Sequence, residues 1–122
     1  MLCSSKRQSI RHTLRSRLPP MQRIDVYWRD IPAQVLIKRG RERGKYLLAH
    51  RFQAAIDRAA MRAGKGGSDA YLDEWRRVTM WVPDDGTHAQ ALAEQLGAVI
   101  EANYSDEQLA ALVANKGFEP TP

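Results

Sequence analysis

Cysteine is nearly missing: Cys3 is the single one among 122 residues. A disulfide framework and a cysteine metal site are therefore excluded from the rest of the chain, and a reducing, cytoplasmic location is expected. Histidine is scarce too. His12, His50 and His88 stand far apart with no H-x-x-x-H pair, so no metal site is expected. No serine lies in a G-x-S-x-G elbow. Asp25 and Asp30 are neighbours in sequence only. With no catalytic constellation, the expectation leans away from an enzyme, with no catalytic residue and no cofactor. No apolar run approaches the ~20 residues of a membrane helix. The N-terminus lacks the apolar core of about 7–15 residues that a secretory signal carries.

Acids are lacking from residues 1–20, which hold Lys6, Arg7, Arg11, Arg15 and Arg17. That segment alone accounts for the net charge of +5, because the other 14 Lys and Arg face 14 Asp and Glu. The basic isoelectric point thus belongs to the extension. A neutral domain argues against nucleic acid, which leaves a basic face as its footprint. Residues 1–20 end in Pro19-Pro20. They are expected to form a disordered basic extension, with Met21 as an alternative start. Residues 21–117 are expected to be one α+β domain and 118–122 a tail.

Ile24, Val26 and Trp28 alternate with Asp25, Tyr27 and Arg29, a strand pattern that places Trp28 in the core and Tyr27 on the other face. Ile31-Pro32 is expected to end it, and Gln34–Ile37 to form a second strand. Lys38 to Lys45, KRGRERGK, is expected to be a loop leading to a helix from Tyr46. The inward stripe of that helix is Leu48, Phe52, Ala55, Ile56, Ala59 and Ala63, and Gly64 stops it. Ser68 is expected to cap a short helix with Tyr71 and Trp75 on its apolar side. Val78–Val82 reads as a third strand. Thr87 is expected to cap a second long helix with Ala89, Leu92, Leu96, Val99 and Ile100 inward. Gly97 within it points to close packing. Ser105 and Gln108 form a capping-box pair that opens a last short helix. The elements predict a two-layer α+β domain: a hairpin and a third strand under two long and two short helices.

Lys38, Arg39, Arg41, Arg43 and Lys45 put five cations into eight residues of an otherwise neutral domain. The segment fails as a phosphate loop. Gly40 and Gly44 are one residue too close, and Tyr46 stands where Ser or Thr would hold magnesium. An anion or an acidic partner surface remains the expectation for these five residues together with Tyr27, with helix-start amides as further donors.

The segment Ile24–Arg77, through its blocks YWRDIPAQV, RFQAAIDRAAMRAG and YLDEWRR, resembles a small bacterial domain family known as virulence factor. The same domain occurs in conserved virulence factor C proteins beside HEAT-like repeats. The resemblance implies a small interaction domain with a protein partner, and it brings no catalytic residues. Stand-alone relatives associated with one-carbon and corrinoid methyl transfer imply an alternative: an accessory to such an enzyme system, binding an anionic ligand at residues 38–45.

Overall fold

The computed structural model describes residues 21–120; the expectations for residues 1–20 and for the end of the tail lie outside them. Four antiparallel strands form one sheet in the order β3-β2-β1-β4. They are β1 (Met21–Trp28), β2 (Ile31–Arg39), β3 (Glu42–Leu47) and β4 (Trp75–Val82). Four helices follow β3 and β4: α1 (His50–Arg62), α2 (Ser68–Leu72), α3 (Ala89–Asn103) and α4 (Asp106–Ala114). The α+β class is the one expected, with one strand more than expected.

That extra strand is the basic segment. Residues 38–45 are not a loop but most of a hairpin, and Lys38 pairs with Arg43 and Arg39 with Glu42. Gly40, at φ 59°, supplies the left-handed residue of its two-residue turn. Gly, Lys and Glu have low strand propensity, and here cross-strand context overrides it. The helix consequently starts at His50, not at Tyr46. The first turn lies at Arg29-Asp30, ahead of Pro32. Pro32 sits inside β2, where the register shifts and Ala33 is left over. A missing amide is tolerated at such a bulge. Trp75 opens β4 and is not on a helix.

Two clusters make the core. In the first, Trp28 and Ile31 meet Phe52, Ile56, Ala59, Leu109 and Leu112 from α1 and α4. The expected α1 stripe is buried from Leu48 to Ala59, with Ala63 half-buried at the C-cap. Trp28 also donates its indole N–H to the Tyr71 carbonyl at 2.9 Å and stacks on that ring. In the second cluster, Met21, Val35 and Ile37 pack under Ala89 and Ala93 of α3. Here the expected stripe shifts. Ala89, Ala93 and Gly97 are buried, and Val99 is 56% exposed. Small residues four apart let α3 lie close to the sheet, and the larger Leu92 and Leu96 flank that line. Gly97 admits the Tyr46 ring at a distance that leaves no room for a side chain. The Ser105–Gln108 capping box forms as expected.

Candidate functional site: the basic hairpin and the outward sheet face

Pairing register decides where each cation of the hairpin goes. Residues directly opposite in an antiparallel pair share a face. Arg39 stands on the α3 side with Glu42, Met21 and Val82. Its guanidinium donates to Asp84 at 2.8 Å and to Glu42 at 2.6 Å. The other Glu42 oxygen accepts the amide of Ala89 at 2.7 Å, at the start of α3. Thr87 is therefore not the cap. His88 is the N-cap residue and makes no side-chain cap bond, so a carboxylate from the hairpin fills that role. Glu101 does the same for α1, accepting the Ala49 amide at 2.7 Å and the Tyr46 hydroxyl at 2.9 Å. Each helix start beside the hairpin is thus met by a carboxylate of the chain itself.

The Ala89 amide, with help from Arg39, holds the Glu42 carboxyl below its ordinary 4.5. A depressed carboxyl contributes stability that is present above its unfolded value and lost as pH falls through the folded one. The Glu42 contribution should therefore fade as pH drops below about 4.5. Urea midpoints measured across that range should fall less steeply for Glu42→Gln than for the native chain. Parallel curves would place the acid sensitivity in other carboxylates.

The other hairpin cations turn outward. Lys38 and Arg43 share a row with Gln22 and Trp81. Lys45 shares the next with Leu36, Ile24 and Thr79, and Leu47, Gln34, Val26 and Arg77 form a third. These three rows hold four cations and no carboxylate. Among the described residues, no helix lies across them; α3 covers the opposite face through Gly44 and Tyr46. Ile24 and Val26 are buried at the centre of the rows, while Trp81 is 65% and Leu47 64% exposed at opposite edges. Arg43 is clipped to the Gly40 carbonyl at 2.6 Å and the Glu42 carbonyl at 3.1 Å. Arg41 stands exposed in the turn. Beside the third row, Val26, Gln34, Trp75, Arg76 and Arg77 line a depression of about 560 Å³.

Of the six expected site residues, Lys38, Arg43 and Lys45 come together on the outward face. Arg41 marks its turn, and Arg39 is committed to the ion pairs on the other side. Tyr27 is also on the other face, half-buried, with the Arg76 guanidinium 4.5 Å above its ring. Burial, and then the nearby Asp25, raises the Tyr27 hydroxyl above its ordinary value. Arg77 and Trp81 belong to the face without having been expected there. Arg77 joins the strand because β4 starts at Trp75, ahead of the expected Val78, and Trp81 joins the face because β4 pairs with β1.

No described cluster of His, Cys, Asp and Glu is arranged to hold a metal. No described helix is long and apolar enough to cross a membrane. A family model described as virulence factor matches residues 26–113, well over half of the chain. The chain belongs to the virulence factor family. The matched span runs from β1 into α4 and contains the hairpin, all of α1 to α3 and β4. No curated protein and no solved structure matches the chain.

Proposed function

We propose that this virulence factor domain is a non-enzymatic, cytoplasmic docking module that binds an acidic surface of a protein partner through its outward sheet face. The observation that carries this reading is the sorting of charge by face. Acids pair with Arg39 on the α3 side, while Lys38, Arg43, Lys45 and Arg77 face outward with no carboxylate among them. Unpaired like charges repel, and an acidic partner relieves that repulsion while steering association. Trp81 and Leu47 offer exposed apolar contacts at the two edges, and aromatic anchors of this kind dominate protein interfaces. The middle of the face is aliphatic, with Leu36, Ile24 and Val26. A protein surface fits that better than a single strand of nucleic acid, which needs a run of aromatic platforms.

The test is affinity capture from nuclease-treated native lysate with the full chain and with Lys38→Glu, Lys45→Glu. Both lysines lie off the core, so the unfolding midpoint should stay within about 2 °C. Partner recovery should drop about tenfold, and native recovery should decline as salt rises. Equal recovery by the variant at low salt removes the proposal. Recovery that disappears with nuclease treatment replaces the protein partner with nucleic acid.

A further inference from the structure

The two edges of the sheet are treated differently. The outer edge of β3 is closed by α3: the Gln90 side chain accepts the Lys45 amide at 2.9 Å and donates to the Lys45 carbonyl at 2.9 Å. The outer edge of β4 has no such cover. Among the described residues, no segment pairs with it and no helix runs along it. β4 is eight residues long, and its register against β1 is continuous from Val82 to Trp75. It contains no proline and no bulge, and its two charges, Arg76 and Arg77, sit together at one end and leave Val78 to Val82 uncharged. Proline, bulges and charge are the devices that keep a free edge from pairing, and their absence from Val78 to Val82 leaves a row of unpaired amides and carbonyls as a template. Met80 is 38% and Trp81 65% exposed on this strand.

We propose that the partner of this edge is the β4 strand of a second copy, paired antiparallel about a twofold axis at Thr79, so that two sheets join into one of eight strands. A twofold normal to the sheet keeps each face continuous, so paired residues must share a face. Centring on Thr79 satisfies this and sets Arg77 opposite Trp81 and Val78 opposite Met80. The first pair places a cation beside an indole, and the second places two apolar side chains together. Centring on Val78 would bring the two Arg77 side chains closer, within an offset of two residues on each strand. The Thr79 register doubles that offset and still pairs residues 76–82 of β4, whereas centring on Met80 would pair only 78–82. The seam shares Arg77 and Trp81 with the outward face, but the backbone pairing of β4 does not rest on what docks there.

The test uses the full chain with Cys3→Ser, so that an introduced thiol stands alone. Sedimentation at rising concentration should show twice the mass of the 13.8 kDa chain. Directly opposed residues have Cα atoms about 4.5–5.5 Å apart, within disulfide range. Thr79→Cys should therefore form a crosslinked dimer under mild oxidation. Met80→Cys should not, because its own copies lie two residues out of register, roughly 8 Å apart. Thr79 and Met80 are both exposed, so neither change threatens the fold. Thr79→Lys sets like charges directly opposite and should raise the dimer dissociation constant about tenfold or more. A monomer at all concentrations overturns the proposal, as does a dimer that crosslinks equally at Thr79 and Met80. A dimer that Thr79→Lys does not weaken overturns it as well.

Discussion

Replacing Phe52 with alanine is expected to destabilise the domain by about 3–5 kcal/mol, the usual range for a buried phenylalanine. The ring is fully buried at the centre of the cluster that joins β1 and β2 to α1 and α4. It meets the Tyr104 ring edge-on at 5.8 Å, and such pairs add about 0.5–1.5 kcal/mol beyond area burial. The Arg51 guanidinium lies 4.6 Å from its centroid. That arginine also bonds the Glu101 carbonyl at 2.7 Å near the end of α3, so the loss spreads to the joint between α1 and α3. Ile56→Ala removes a smaller side chain without an aromatic partner and should cost less, about 2–4 kcal/mol. Small domains hold only about 5–15 kcal/mol in all. Phe52→Ala should therefore shift the urea midpoint far down with little change in slope. A native-like midpoint would mean that this face of α1 is not the packed one.

The position of Phe52 was legible from sequence, because α1 repeats its apolar residues at helical spacing and nothing competes with that pattern. The same holds for Trp28, Gly97 and the Ser105–Gln108 box, each a local signal with one physical reading. What was not legible depended on partners distant in sequence. KRGRERGK has the composition of a loop. It becomes a strand because β2 offers it a ladder and because Arg39 and Glu42 close the turn as an ion pair. The helix cap failed for a similar reason. Thr87 carries a suitable oxygen, yet the amide of Ala89 goes to Glu42, 47 residues earlier. At the site, three of the five cations of one charge run share a face, while Arg41 stands in the turn and Arg39 points to the other side. Period-2 alternation determines this, and it applies only once the run is known to be a strand. Arg77 was hidden by the boundary of β4, because the expected strand began at Val78, and Trp81 by its partner, because only pairing with β1 sets it in one row with Lys38.

Gly44→Ala is expected to cost about 3 kcal/mol, at the upper end of what an added methyl inflicts on a tight contact. Gly44 lies on edge strand β3 directly beneath the first turn of α3. A Cβ there would collide with the carbonyl group of Ala89 and the amide nitrogen of Gln90. These are backbone atoms and cannot swing aside. Relief requires the strand and the helix to part. That movement pulls on the Glu42–Ala89 bond and on both bonds between Gln90 and Lys45. One methyl group therefore threatens the cap of α3 and the cover of the β3 edge together. Gly97→Ala provides the contrast. Its Cβ would meet the Tyr46 ring, which is a side chain with some freedom to tilt, although its hydroxyl is tied to Glu101. Alanine also favours the helix over glycine by about 1 kcal/mol. The net loss at Gly97 should accordingly be smaller, about 1–2 kcal/mol. Urea unfolding of the two variants side by side checks the order. A Gly97→Ala domain less stable than Gly44→Ala would show that α3 is held to the sheet at Tyr46 and not at its first turn.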